Sequence, residues 1–160
     1  MADHDMNDRH AALTLASFLP YRLSVLSNRV SRAIADRYEA RFQISLPEWR
    51  VMAVLGDTPD LSAADVAERT AMDKVAVSRA VARLLQSGRL IRHFAADDRR
   101  RSVLSLSAEG YAVYRRIVPL ALAYEQEILA KLSMDERETL DRLLDKLAAP
   151  DAVDHMEKEK

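Results

Sequence analysis

The stretch that decides the fold runs from residue 62 to residue 88 and reads SAADVAERTAMDKVAVSRAVARLLQSG. Ser62 stands three residues before Asp65, a spacing at which the serine oxygen accepts a free N–H group of a new helix while the carboxylate faces the positive end of the helix dipole. Asp73 can cap a second helix, which ends where Gly88 supplies a left-handed backbone conformation. Two short helices joined by a tight connection predict a helix-turn-helix.

A β hairpin is predicted directly after this pair of helices. Residues 90–95 and 103–107 are short strand-like runs, and the charged residues 96–101 lie between them. Upstream, Pro47 stands at the first position of another short helix. Helices followed by a hairpin form a winged helix-turn-helix, which we place at residues 47–107.

Long helical patterns flank this winged region on both sides. Residues 11–42 keep apolar residues at helical spacing, and Pro20 either begins the regular helix or kinks it. Residues 108–149 contain a helix that Pro119 is expected to bend and then a final helix with one apolar face. That face is formed by Leu140, Leu143, Leu144 and Leu147.

The composition fits one globular domain spanning residues 1–160. Hydrophobic residues make up 49% of the chain and the formal net charge is -1, which excludes a disordered tail and a uniformly cationic chromatin protein. With three glycines and five prolines the chain has few turn residues, so the predicted fold class is mostly α with a small β-hairpin wing. Residues 151–160 are expected to form a mobile tail.

The residue types needed for catalysis or metal binding are missing or scattered. The chain has no cysteine, which excludes disulfides, thiolate metal sites and cysteine redox sensing. Its four histidines form no pair at helical metal spacing, and neither a phosphate-binding glycine loop nor a nucleophile elbow occurs. The sequence also lacks a signal-peptide pattern and an apolar run long enough for a membrane span. We therefore expect a cytoplasmic protein with no catalytic residue, no metal, no cofactor and no membrane partner.

Positive charge is concentrated in the middle of the chain. Residues 74–101 hold eight basic and two acidic residues, a net charge of +6, which leaves -7 for the remainder of a chain whose total is -1. Such a local excess is the electrostatic footprint that phosphate binding requires. The acidic remainder would keep the other faces away from DNA.

The second helix of the pair separates an apolar face from an exposed one. At about 100° per residue, Val77, Val81 and Leu84 lie together, and small residues and arginines point the other way. Arg79 is the preferred base reader because an arginine can donate two hydrogen bonds to guanine, and Ser78 can reach a phosphate or a base edge. The predicted DNA contacts on this helix are Lys74, Val75, Ala76, Ser78, Arg79 and Arg83.

The hairpin tip offers a second set of predicted DNA contacts. Arg99, Arg100 and Arg101 can enter a minor groove, where a narrow A·T-rich segment concentrates negative potential. Asp98 would then orient an arginine. Two alternatives stay open: the helix arginines could be ordinary solvated side chains, and the charged hairpin could only blunt a sheet edge.

Together these residues resemble the multiple antibiotic resistance regulator (MarR) family of winged helix-turn-helix transcription factors. The matches are Pro47-Glu48-Trp49-Arg50-Val51, Met72-Asp73-Lys74 with Val77-Ser78-Arg79, Asp98-Arg99-Arg100, and Leu106-Ser107 with Gly110. They stand in the family's order and spacing. One departure is Ala76, where related helices often carry a threonine or serine, so any base preference inferred from relatives is in doubt.

The resemblance implies a homodimer bound to a palindromic double-stranded DNA operator. Residues 11–42 and 108–149 would be the dimerisation helices, and residues 47–107 the DNA-binding region. The leucine face of the final helix independently needs a covering surface, although part of it could belong to the chain's own core. Two-fold symmetry would place the recognition helices about 34–36 Å apart.

The resemblance also implies a repressor that is released by a small aromatic or phenolic acid. Such a ligand requires a partly apolar cleft with a cation for its carboxylate. The candidate ligand-binding residues are Tyr21, Arg22, Trp49 and Arg50. The alternative is that Trp49 is core and Arg50 forms an ion pair.

Two other classes of function are alternatives to a DNA-binding regulator. A winged-helix protein-interaction module would engage an acidic partner and be indifferent to DNA. An enzyme on a helical scaffold would need an activated group, and none can be named.

Overall fold

The computed structural model describes residues 13–95 and 100–149 of the chain. Its elements, in chain order, are α1 Leu19–Phe42, α2 Leu46–Asp57, α3 Ala63–Thr70, α4 Lys74–Gln86, β1 Leu90–Phe94, β2 Ser102–Leu106, α5 Ala108–Leu129 and α6 Met134–Ala148. The predicted class, mostly α with a small hairpin, is confirmed. The chain divides into two compact units between Tyr114 and Arg115. The predicted tail, residues 151–160, lies outside the described residues.

The helix-turn-helix begins and ends where local hydrogen bonding predicts. Ser62 Oγ accepts the Asp65 N–H at 3.1 Å, and the Ser62 N–H donates to the Asp65 carboxylate at 3.0 Å. Hydrogen bonds from Ser62 hold the pKa of the Asp65 carboxyl below its usual value. The Asp73 carboxylate accepts the Ala76 N–H at 2.9 Å at the start of α4, and Gly88 has a φ of 70° just beyond its end.

The first helix is shorter than the sequence pattern predicts. α1 begins at Leu19 with Pro20 in its first turn, so the proline starts the helix. Residues 15–17 form a turn closed by hydrogen bonds from the Ser17 and Phe18 N–H groups to the Thr14 carbonyl. Proline has no N–H to donate to a preceding helical turn, which explains why the regular helix starts there. Residues 11–12 lie outside the described residues.

The wing is an antiparallel hairpin whose strands end within one residue of the predicted limits. Leu90 pairs with Leu106 at its base. Leu104 also bridges to Leu61, just before α3, and its N–H donates to the Leu61 carbonyl at 2.8 Å. This bridge joins the wing to the helix-turn-helix. Most of the tip, residues 96–99, lies outside the described residues.

The core of the first unit is formed by apolar side chains of α1, α2, α3, α4, the hairpin and the loop between α1 and α2. Its largest fully buried members include Tyr38, Ile44, Met52, Leu55, Val66, Val77, Leu84, Val103 and Leu104. Burying each aliphatic side chain of this set contributes about 1.5 to 3 kcal/mol. The core therefore fixes how α4 is turned relative to the wing.

A second set of contacts ties the end of the wing to the end of α4. Ser107 Oγ donates to the Gly88 carbonyl at 2.6 Å and accepts the Gly110 N–H at 2.9 Å. A Cβ atom on Gly110 would lie 2.0 Å from the Arg89 carbonyl oxygen, so only glycine fits there. These contacts give a physical reason for the serine and glycine that follow β2.

The second unit contains most of α5 and all of α6. Pro119 lies inside α5, which continues as one helix, and the predicted bend stays a prediction. α6 begins with Ser133 and Glu136 capping each other, at 2.8 Å from the Ser133 N–H to the Glu136 carboxylate. No residue of α6 is buried. Within residues 13–95 and 100–149, every helix is too short or too polar to cross a lipid bilayer.

Candidate nucleic-acid interface

α4 presents two faces of different chemistry, as its spacing predicts. Val77, Val81 and Leu84 are buried against the rest of the first unit. Arg79 and Arg83 are exposed on the opposite side. Because the buried face anchors the helix, the exposed face is presented in one fixed orientation.

The first turns of α4 add small and polar groups to this surface. Val75 is 60% exposed, which is unusual for a valine on a helix with a packed core face. Lys74 and Ser78 are exposed as well, and Ala76 is half-buried. A surface of small side chains and donors lets a helix backbone approach another molecule closely, as a helix in the major groove must.

A groove of about 340 Å³ lies between α3, α4 and β1. Ala63 and Ala67 line it from α3, Lys74 and Ser78 from α4, and Arg92 from β1. Its basic groups therefore come from two different elements of the winged region.

The described part of the wing tip carries two exposed arginines, Arg100 and Arg101. The Ala95 N–H donates to the Arg101 carbonyl at 2.9 Å, so the backbone on both sides of the tip is held together. The other two predicted tip residues, Asp98 and Arg99, lie outside the described residues.

A polar brace that the sequence reasoning missed fastens the wing to the loop before α3. The Asp60 carboxylate lies 2.9 Å from His93 Nε2 on β1 and accepts a hydrogen bond from Ser105 Oγ on β2 at 2.5 Å. The Asp60 N–H also donates to Ser105 Oγ at 3.1 Å. The hydrogen bond from Ser105, supported by His93, holds the pKa of the Asp60 carboxyl below its usual value. These partners are 33 and 45 residues away in sequence, so no local pattern could have revealed them.

One member of the basic segment is occupied by a structural contact. Arg89 donates from Nη2 to the Phe42 carbonyl at 2.8 Å and from Nη1 to the Gln43 carbonyl at 3.4 Å. It therefore binds the carbonyl groups at the C-terminal end of α1, where a cation also interacts favourably with the helix dipole. The local net charge of +6 overstates the charge available for phosphate.

The four candidate ligand residues fall into two groups. Tyr21 and Arg22 lie on the exposed first turns of α1 and line a surface groove there. Trp49 and Arg50 lie on α2, where an Nη2 atom of Arg50 donates to Ser31 Oγ at 3.2 Å. Ser31 is nine residues beyond Arg22, or about 14 Å along α1. The chain by itself does not bring the two groups together.

Trp49 lies between two tyrosine rings. Its ring centroid is 5.7 Å from that of Tyr38 and 5.8 Å from that of Tyr114. The Tyr38 side chain is fully buried, and its hydroxyl has no hydrogen-bond partner among the described residues. Burial raises the pKa of the Tyr38 phenol, with Arg50 acting in the opposite direction. In the sequence, Tyr38 is only one of the apolar residues at helical spacing within residues 11–42.

The residues described by the structure hold no cluster of three or more histidine, aspartate or glutamate side chains that could bind a metal ion. Asp65 and Asp73 cap helices, and Asp60 forms the brace to His93 and Ser105.

A helix-turn-helix followed by a hairpin, with small and basic residues exposed on its second helix, defines a winged helix-turn-helix protein. The family model described as MarR family matches residues 42–101. The transcriptional regulator HosA of Escherichia coli O127:H6 is 28% identical over 121 residues, which cover 72% of this chain and 90% of HosA. The homoprotocatechuate degradative operon repressor of Escherichia coli is 28% identical over 141 residues, covering 88% of this chain and 90% of that repressor.

Solved structures agree with the sequence matches. The PcaV transcriptional regulator of Streptomyces coelicolor, in complex with its natural ligand, is similar with a TM-score of 0.68 and 28% identity. The similarity covers 86% of this chain and 96% of PcaV. The winged region thus matches the MarR family model, and over most of its length the chain is similar to transcriptional regulators.

Proposed function

We propose that two copies of the chain form a repressor that binds a palindromic double-stranded DNA operator and leaves it when a small aromatic acid binds. The observation that carries the DNA-binding part is the two-sided α4 helix. Its buried face is locked into the core, and its opposite face carries exposed Ser78, Arg79 and Arg83. An arginine placed there can read guanine, and its neighbours can contact phosphates.

The wing supplies the second DNA contact in this proposal. Arg100 and Arg101 are exposed at the described edge of the tip. Asp98 and Arg99, which lie outside the described residues, are the other two proposed DNA contacts of the tip. A guanidinium inserted in a minor groove gains from the concentrated negative potential there. Lys74, Val75 and Ala76 are proposed as close neighbours of the DNA on α4.

The proposed partner for the exposed apolar faces is a second copy of the chain. On α1, Leu19, Leu23 and Leu26 are 46%, 42% and 58% exposed. On α6, the exposure runs from 38% for Leu140 to 48% for Leu147. Apolar side chains repeated at helical spacing and left this accessible favour burial in a symmetric dimer.

The first experiment selects bound sequences from random DNA duplexes. We expect a palindrome whose half-sites are about one helical turn apart. A dimer that contacts about 6 to 10 phosphates should lose about 10³ to 10⁵ in affinity between 50 and 200 mM salt. A chain that binds no duplex and is indifferent to DNA competitor would instead be a protein-interaction module.

Two arginine variants separate base reading from charge. Arg79→Ala should lower discrimination against a changed base pair by about 1 to 3 kcal/mol, because a bidentate contact to guanine is lost. Arg100→Ala should weaken binding to all duplexes by a similar factor, since minor-groove contacts carry little base information. Titrations of both variants against the selected operator and a one-base variant test this division. Parent-like binding by both would refute the assigned roles.

The effector part of the proposal centres on Trp49 and Arg50. The rings of Tyr38 and Tyr114 flank Trp49, and Arg50 is a cation on the same helix. The Tyr38 hydroxyl is a buried donor that lacks a partner within the described residues, and a phenol or carboxylate would satisfy it. Homoprotocatechuate, which appears in the name of one relative, is a phenolic acid. Tyr21 and Arg22 remain a second proposed group on α1.

Trp49 is the only tryptophan, so its fluorescence can report ligand binding. Hydroxybenzoic and hydroxyphenylacetic acids are the probes. Tyr38→Phe should bind them about tenfold more weakly and yet be no less stable without ligand, because a buried unsatisfied hydroxyl is removed. Tyr111→Phe, a half-buried tyrosine of α5, is the control. Unchanged affinities in both Arg22→Ala and Arg50→Ala would remove those arginines from the ligand site.

A further inference from the structure

Arg92 is a basic residue that stands between the two proposed DNA-reading elements. It lies on β1, exposed, and it lines the same groove as Lys74 and Ser78 of α4. Arg79 and Arg83 of α4 belong to the recognition face, and Arg100 belongs to the wing tip. Arg92 is on the strand that leads from the first to the second.

The strand geometry fixes the side to which Arg92 points. Successive side chains of a β-strand point to opposite faces. His93 is held on one face by its 2.9 Å contact with Asp60, so the Arg92 side chain extends from the other face, toward α4. In the hairpin register Arg92 is opposite Leu104, which is buried, so no acidic neighbour is paired with it across the strands.

The guanidinium of Arg92 is also available, unlike that of Arg89. Within residues 13–95 and 100–149 no hydrogen bond or ion pair to Arg92 is found, whereas Arg89 donates to the carbonyls at the end of α1. Ala67, Val77 and Val81 add apolar, buried side chains to the groove lining, and Lys74, Ser78 and Arg92 add its hydrogen-bond donors. Cationic and hydroxyl donors are the groups that bind phosphate oxygens.

The geometry of DNA places a phosphate backbone between the two proposed reading elements. One phosphodiester backbone separates the major groove from the adjacent minor groove. A protein with α4 in the first and the wing in the second must pass over that backbone. We propose that Arg92 binds a backbone phosphate of this crossing strand, with Lys74 and Ser78 across the groove. The inference rests on the proposed function, and it assigns Arg92 to affinity and positioning and not to base reading.

The test compares the salt dependence of operator binding in four proteins: the parent chain, Arg92→Ala, Arg92→Lys and Arg142→Ala. Each phosphate contact contributes about 0.9 to the slope of log K against log salt. A dimer loses two contacts, so the slope of Arg92→Ala should be about 1.8 shallower than that of the parent. Arg92→Lys keeps the point charge and should retain the parent slope. Arg142 lies on the face of α6 opposite its leucines, and Arg142→Ala removes one charge from each chain without changing the proposed contact.

A change of the slope distinguishes a phosphate contact from a structural role, which would change stability alone. The ratio of affinities for the selected operator and a one-base variant should stay the same in Arg92→Ala. If the parent binds and Arg92→Ala has the slope of Arg142→Ala, the inference is overturned while the proposed function stands. If the parent binds no duplex, both are overturned. Arg92→Gln provides a second neutral variant should the alanine protein fold poorly by circular dichroism.

Discussion

Two amphipathic helices of this chain, α4 and α6, differ in whether their apolar faces are buried. α4 buries its apolar face, with Leu84 fully inaccessible, and leaves its basic face exposed. α6 carries leucines at the same kind of spacing, yet no residue of it is buried. An amphipathic pattern therefore predicts that a face will be covered, and only the structure shows whether the same chain covers it.

The difference has an energetic meaning. Full burial of a leucine side chain contributes about 1.5 to 3 kcal/mol. The leucine side chains of α6 are 38% to 48% exposed. Burial against a partner would therefore add about half of this free energy for each leucine. Four such side chains in two copies give a large driving force for association. In contrast, the apolar face of α4 is already buried, so this helix has no further hydrophobic stabilisation to gain. Its exposed arginines can be stabilised only by a charged partner.

The largest expected effect comes from placing charge on the α6 face. Leu140→Glu with Leu144→Glu should convert the proposed dimer into a monomer, since four carboxylates would have to be buried at the proposed interface. Operator affinity should fall at least 100-fold because two linked half-sites become independent. Sedimentation velocity and DNA titration measure the two effects. Arg142→Glu, on the opposite face of α6, should remain dimeric, and monomeric behaviour in both proteins would contradict the assignment.

A smaller effect separates the two kinds of apolar face by their concentration dependence. Leu84→Ala should lower the free energy of unfolding by about 2 to 5 kcal/mol at every protein concentration, because it opens a cavity inside one chain. Leu144→Ala should lower it by an amount that depends on protein concentration, because the affected contact would lie between the two chains of the proposed dimer. Urea unfolding at two concentrations a hundredfold apart provides the measurement. Equal concentration dependence in the two variants would remove the contrast between α4 and α6.

The local parts of this fold could be predicted from the sequence because their causes are local. The caps at Ser62 and Asp73 and the exit at Gly88 each depend on residues within a turn or two, and each lies where predicted. A start of α1 with Pro20 in its first turn was one of two alternatives, and a pattern of apolar residues could not choose between them. The class of protein followed from the order of these elements.

The parts that could not be predicted depend on distant residues. The sequence places Arg89 within the basic segment. In the structure its guanidinium instead donates hydrogen bonds to carbonyl groups at the end of α1, which are 46 and 47 residues away. In the sequence Tyr38 is one more apolar residue at helical spacing. The structure buries its side chain, and its hydroxyl has no hydrogen-bond partner among the described residues. Spacing along a chain predicts which side chains share one face of a helix. It does not predict which distant residues contact that face.

The smallest expected effect concerns the brace at Asp60, a contact that the first unit completes by itself. The folded-state pKa of Asp60 lies below its ordinary value, because Ser105 and His93 stabilise the carboxylate. A lowered pKa contributes stability above the unfolded-state value of about 3.9, and that contribution is lost as the pH falls through the lowered pKa. Asp60→Asn should therefore be less stable than the parent at pH 7, and this difference in the free energy of unfolding should disappear as the pH falls below about 3.9.

Urea midpoints of both proteins across this pH range measure the sign of the difference. Asp141→Asn on α6 is the control for loss of an exposed carboxylate. A gap that persists unchanged in acid would mean that the Asp60 charge does not hold the wing in place.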